Sequence, residues 1–252
     1  MAPVFWVFLL PKMCYNECGE FMKQLGRLSL IIGDKNIEKI NKATVLIIGL
    51  GGVGSYALEA IIRSGIGKVI TVDKDKIDIT NLNRQLMTTH HNIGQYKTDV
   101  WEERIKSINP LCEVIKITDF ITPNNIEILF KEKIDYVIDA CDSIPTKKEL
   151  IRQCIKRKIK LIASMGMGNK LDPTRVKIIE VRKTSYDPIA KIIRKMLRDE
   201  RINNKVMVVC SDEKPISNPT KVVGSTSFVP ATAGLLCASY IIIDIVKRNS
   251  GE

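Results

Sequence analysis

The chain has 2 histidines, 6% aromatic residues and no two cysteines at CxxC spacing. Its seven cysteines, Cys14, Cys18, Cys112, Cys141, Cys154, Cys210 and Cys237, are odd in number and scattered. That excludes a disulfide-stapled fold and a zinc knuckle built from close pairs, and predicts reduced thiols in a cytoplasmic protein. Cys14 and Cys18, near a terminus, are expected to be exposed spectators rather than metal ligands. No internal repeat is present, so collagenous and coiled-coil classes fall away as well. Clean membrane spans are also missing. Residues 2–11 are apolar but too few to cross a bilayer, with neither a preceding positive region nor a following cleavage pattern. The second apolar run, 228–246, is interrupted by Pro230, Gly234 and Asp244. It predicts a helix packed on a sheet, with no stable membrane insertion and only peripheral association left open.

What is present describes a globular α/β protein: 252 residues, 45% apolar and 27% charged, enough for one large domain. Net charge is +11, and one segment carries it. Residues 151–205 hold 16 Lys and Arg against 5 Asp and Glu, which leaves 23 of each elsewhere. A basic block inside an otherwise neutral chain points to an anionic macromolecule as partner.

Residues 43–48 (ATVLII) read as a buried parallel strand, 55–64 as a helix, and 68–72 (KVITV) as a second strand ending at Asp73. Helices around 99–108, 125–131 and 146–158 then alternate with strands at 113–117, 136–139 and 161–163. This alternation is the mark of a doubly wound, mainly parallel sheet. Beyond Gly168 the texture changes, with strands expected at 176–181 and 206–209, a basic helix at 188–201 and the apolar terminal helix. The division is an N-terminal extension over 1–20, a nucleotide-binding core over 21–165 and a C-terminal α+β elaboration over 166–252, all of one domain.

Gly49, Gly51, Gly52 and Gly54 fall between a strand and a helix, where backbone N–H groups and the helix N-terminus receive phosphates. Asp73, 24 residues after Gly49, is placed for ribose hydroxyls. A dinucleotide and ATP both fit this much. The following stretch, which holds Asp75, Asn81, Arg84 and Gln85, and Lys97 beyond it, favours ATP. Arg84 and Lys97 can neutralise the charge that builds as a phosphoryl bond breaks. Asp142, just past a later strand, can hold magnesium. An NAD-dependent oxidoreductase would need a nicotinamide pocket and a proton-transfer residue, and neither can be named. His90 and His91, adjacent in an expected loop, receive no role.

These motifs, GLGGVGS, VDKDKIDITNLNRQ, GQYK and DACD, resemble in order and spacing the ubiquitin-activating-enzyme-like adenylyltransferases over roughly residues 20–165. The resemblance implies a Rossmann-like fold, with ATP held by the glycine loop, Asp73, Asn81, Arg84 and Lys97, and Mg2+ associated with Asp142. It also implies a homodimer, because Arg27 matches an arginine delivered into the neighbouring subunit's site. The zinc-binding CxxC pairs of the carrier-protein activators are absent. Residues 164–174, 183–188 and 194–198 instead look like the tRNA threonylcarbamoyladenosine dehydratases, a likeness that then covers about 20–246. Met167 departs from the small residue expected there and touches none of the proposed chemistry. A monovalent cation (Na+ or K+) and a cysteine-desulfurase or sulfur-acceptor partner stay open, as does the alternative of activating a carrier protein's C-terminal glycine.

The residues support an RNA substrate by themselves. Lys191, Arg194, Lys195, Arg198 and Arg201 share one face of the expected basic helix, opposite Ile189, Ile192, Ile193, Met196 and Leu197. No Asp or Glu falls between 188 and 198. A cationic stripe of this kind suits a phosphate backbone. Lys156, Arg157, Lys158 and Lys160 form a weaker second cluster, readable as a helix C-terminal cap.

Overall fold

A computed structural model of the chain describes residues 23–217 and 222–247. The apolar stretch 2–11, Cys14 and Cys18 lie outside them. Seven strands form one sheet, in the order β3-β2-β1-β4-β5-β7-β6. They are β1 (Thr44–Ile48), β2 (Lys68–Val72), β3 (Glu113–Ile117), β4 (Tyr136–Asp139), β5 (Lys160–Ser164), β6 (Val176–Glu180) and β7 (Met207–Ser211). All neighbours run parallel except β6, which is antiparallel to β7. The mainly parallel α/β architecture is the one the alternation implied.

Burial explains why the strands read as they do. Every residue of β1 and of β4 is buried, so both carry unbroken apolar runs instead of alternation. The edge strand β3 is partly exposed along its whole length. Seven α-helices, counted among the described residues, accompany the sheet: α1 (Gly26–Ile32), α2 (Asp34–Lys42), α3 (Gly54–Arg63), α4 (Lys97–Ile108), α5 (Ile144–Arg157), α6 (Pro188–Asp199) and α7 (Phe228–Lys247). α2 forms in a segment that reads only as polar, and it buries just Ile37 and Ile40.

Two expectations are corrected by local chemistry. The helix expected at 125–131 is a 3-10 stretch, Ile126–Phe130. Its buried residues Ile126 and Leu129 are three apart, the repeat of that tighter helix. Asn125 also spends its side chain on the preceding turn, accepting from Thr122 N at 2.7 Å and donating to Phe120 O at 2.9 Å, which competes with an α-helical start. The basic helix ends at Asp199 instead of 201, and Arg201 follows with φ of 53°.

α7 is long and apolar enough to cross a membrane. Val229, Ala233, Gly234, Cys237, Ala238, Ile241 and Ile245 are nevertheless buried, packed against α3 and strands of the sheet. This is the core helix that Pro230, Gly234 and Asp244 suggested.

Candidate functional site

A cleft of about 540 Å³ opens beyond the C-terminal ends of β1, β2 and β4. Strand order reverses between β1 and β4, the switch point where doubly wound sheets bind ligands. The glycine loop forms its floor. Gly49 has φ of +86°, and a Cβ there would stand 2.6 Å from Ala140 O. At Gly54 a Cβ would overlap the Gly49 carbonyl oxygen. Neither position tolerates a side chain, and the tight turn brings Gly51, Gly52 and Val53, just before α3, against the cleft.

Asp73 braces that loop. One carboxylate oxygen accepts from Leu50 N at 2.7 Å and the other from Asp75 N at 2.8 Å. Each oxygen retains a lone pair for a ligand hydroxyl. Lys97 is buried, with Nζ 3.2 Å from Asp75 and 3.7 Å from Asp73, so its cation is fixed in place at the cleft wall. Arg84 donates to Thr80 O and Asn83 Oδ1, both at 2.8 Å. Its Cγ lies close enough to Gly52 that a Cβ there would be 3.3 Å away. Asn81 holds the short turn before it, accepting from Asp78 N at 3.1 Å. Gln85 is buried against the same loop, and its Oε1 has no hydrogen-bond partner.

The structure therefore gathers Gly49, Gly51, Gly52, Asp73, Asp75, Asn81, Arg84, Gln85, Lys97 and Asp142 around one cleft, with Gly54 at its base. Asp142 is exposed at the rim, and no group of three metal-capable side chains occurs among the described residues. A lone carboxylate fits a magnesium ion that arrives on a triphosphate and keeps most of its waters. Arg27 lies on α1, exposed and outside this lining. Met167, expected to stand apart from the chemistry, lines the cleft and is corrected on that point.

Sequence reading missed what stands behind the cleft. Asp139, the last residue of β4, pairs with Lys147 of α5 at 2.8 Å, and neither side chain is exposed. Burial is the largest influence on the Lys147 pKa and lowers it, but the groups facing the ammonium, Asp139 first among them, together hold the value above the ordinary one. A signal did exist: Lys147 shares the spacing of Leu150, Ile151 and Cys154, the buried stripe of α5. Cys141 lines the cleft, but burial and then Asp139 push its thiol well above the usual range. Burial raises Cys112, Cys154 and Cys237 to about 12 and Cys210 to about 11. All five thiols are neutral near pH 7 and poor nucleophiles. His90 and His91 are exposed on a 3-10 turn.

On α6, the buried face is Ala190, Ile193, Met196 and Leu197, while Lys191, Lys195 and Arg198 are exposed. Arg194 is half-buried and bonds Thr184 O at 3.1 Å and the Thr184 hydroxyl. Arg201 is exposed but off the helix. The second cluster is largely committed elsewhere: Arg157 pairs with Glu127 and stacks on Phe130, Lys160 pairs with Asp244, and Lys158 is the left-handed C-cap of α5.

A model of the ThiF family matches residues 21–249. The tRNA threonylcarbamoyladenosine dehydratase of Bacillus subtilis (strain 168) is 44% identical over 243 residues, spanning 90% of this chain and 96% of the relative. That of Escherichia coli (strain K12) is 38% identical over 226 residues, 90% of this chain and 82% of the relative. A crystal structure of the E. coli dehydratase in complex with ATP superimposes with a TM-score of 0.85 at 33% identity, over 90% of this chain and 95% of that one. With its cleft, its sheet order and its relatives in agreement along nearly the whole length, the chain belongs to the ThiF family.

Proposed function

We propose that this protein is an ATP-dependent tRNA threonylcarbamoyladenosine dehydratase acting in the cytoplasm. The observation that carries the reading is the end-to-end likeness to dehydratases, joined here to a cleft in which the glycine loop, Asp73, Arg84 and Lys97 converge. ATP gives AMP to the threonyl carboxylate of the modified base and releases pyrophosphate. The oxygen that a bare carboxylate could not expel thereby becomes part of a leaving group. The carbamoyl group of the same base then attacks that carbon and expels AMP, closing a ring with net loss of one water. Because both reacting groups sit on one base, proximity supplies much of the acceleration, and no enzyme nucleophile is needed. The neutral thiols accord with that.

Each residue has a part in this reading. The loop amides and Arg84 receive phosphate oxygens, Asp73 takes the ribose, and Lys97 screens charge as the α–β phosphate bond breaks. Asp142 would hold Mg2+, which supplies charge neutralisation on the triphosphate. The core over 21–165 performs adenylation, and the 166–252 elaboration presents tRNA. Arg27 belongs to the site of a second copy. Its helix exposes Leu30 and Ile31 at 88% and 82%, as a surface destined for a homodimer contact would. Lys191, Lys195 and Arg198 form the phosphate-facing surface, with Arg194 and Arg201 at its edges.

Pyrophosphate release that requires tRNA carrying threonylcarbamoyladenosine tests the assignment. Release with a carrier protein instead, and none with that tRNA, would replace it with the carrier-activating alternative. The basic face makes a separate prediction. Lys195→Glu combined with Arg198→Glu is expected to weaken tRNA binding about tenfold or more at low salt and to flatten its salt dependence. ATP affinity should be unchanged. Unaltered tRNA affinity in a filter-binding assay would return α6 to an ordinary solvated surface.

A further inference from the structure

One buried carboxylate ties the basic helix to a loop that reaches the nucleotide cleft. Asp187 is the N-cap of α6, with Oδ1 accepting from Ala190 N at 2.9 Å. Its Oδ2 accepts from Gly166 N at 3.0 Å and faces Lys170 Nζ at 3.4 Å. Lys170 in turn donates to Gly166 O at 2.8 Å. Both side chains are 1% exposed. Gly166 and Lys170 therefore bracket a short crossover whose Met167 and Gly168 line the cleft.

The path continues on the far side of that crossover. Asn169, with φ of 56°, donates from its backbone N to Gly224 O at 2.8 Å and accepts from Gly224 N on its side chain at 2.7 Å. Ser225, the next residue, also lines the cleft, and its carbonyl accepts from Asn83 Nδ2 at 3.1 Å. Asn83 holds Arg84 at 2.8 Å. Hydrogen bonds joined through the backbone at 169–170 and 224–225 thus connect the first turn of α6 with Arg84 at the cleft.

We infer that Asp187, Lys170 and Asn169 are positioning residues that couple the seating of tRNA on α6 to the binding of nucleotide in the cleft. The inference rests on the dehydratase reading. Its physical basis is that a buried ion pair with every oxygen engaged resists small displacements. A shift of α6 is passed to residues 166–170 instead of being absorbed by solvent. Such a path earns the name only from a measured coupling free energy, and coupling is reciprocal between the two ligands.

The test is calorimetric titration of a non-hydrolysable ATP analogue into the full chain, with and without saturating tRNA that carries threonylcarbamoyladenosine. In the wild type, tRNA is expected to change analogue affinity by about fivefold or more. The double variant Lys170→Met with Asp187→Asn leaves no buried charge and keeps a cap for Ala190 N, but cuts the bond to Gly166. It should bind each ligand alone within about twofold of wild type, while the coupling factor falls toward one. Asn169→Gly removes the side chain where positive φ costs glycine nothing, and should give the same loss. It carries the test by itself if the double variant does not fold. A merely structural role would lower stability in both variants and leave the coupling factor intact. Wild-type coupling retained in a folded variant, or two ligands that bind the wild type independently, would overturn the inference. Failure of tRNA to bind the wild type at all would overturn the dehydratase reading and this inference with it.

Discussion

Lys147→Ala is expected to cost about 3–5 kcal/mol of stability, because it strands the buried Asp139 carboxylate without its cation. A domain of this kind has only about 5–15 kcal/mol in total. Asp139 is fully buried, one of its oxygens already lacks a hydrogen-bond partner, and the other meets Lys147 at 2.8 Å and accepts from Cys141 N at 3.1 Å. With the ammonium gone, the carboxylate must take up a proton or unfold the end of β4. Either outcome disturbs Ala140, against whose carbonyl Gly49 turns, so nucleotide affinity should fall together with the urea midpoint. Removing both charges in Asp139→Asn with Lys147→Met should recover most of the lost stability, since no uncompensated charge remains. Urea unfolding of the two variants decides the matter. Equal midpoints for wild type and Lys147→Ala would mean that the pair contributes nothing to the fold.

Arg84→Ala should act in the opposite sense, lowering turnover by about 10²–10³-fold with little change in melting temperature. The guanidinium is only partly buried, and its two bonds go to a loop carbonyl and to Asn83. Its loss therefore strands no buried charge. What disappears is the fork of donors proposed to receive phosphate oxygens, and Arg84→Lys should restore only part of it, because a single ammonium cannot bond two oxygens in one plane. AMP formation with modified tRNA, measured beside a thermal melt, reads both effects. Wild-type turnover from a well-folded Arg84→Ala would remove that residue from the site.

The contrast between these two residues shows what a sequence makes legible. Arg84 stands in a run of polar residues after a strand, where the fold has no need of it, and so it reads as chemistry. Lys147 stands among apolar residues at helical spacing, where a lysine is usually solvated, and its role depends on Asp139 eight residues earlier in chain and on a different element. β1 and β4 were legible because fully buried parallel strands carry continuous apolar runs. The turn at Ile126–Phe130 was not, because Asn125 decides it through bonds that periodicity does not register. On α6 the cationic stripe was visible from spacing, but a helical wheel drawn through residue 201 could not know that the helix stops at Asp199. Met167 reached the cleft through the crossover after β5, a tertiary placement with no local signature. The buried Lys170–Asp187 pair likewise joins two segments that look separate in the chain.

On the proposed function, this cleft removes water from a modified adenosine in tRNA. The most direct test is mass spectrometry of nucleosides from tRNA carrying threonylcarbamoyladenosine, incubated with the purified protein, ATP and magnesium. Threonylcarbamoyladenosine is expected to lose the mass of one water, only when ATP is present, with AMP and pyrophosphate appearing in equal amounts. An unchanged nucleoside, recovered from competent tRNA in the presence of bound nucleotide, would contradict it.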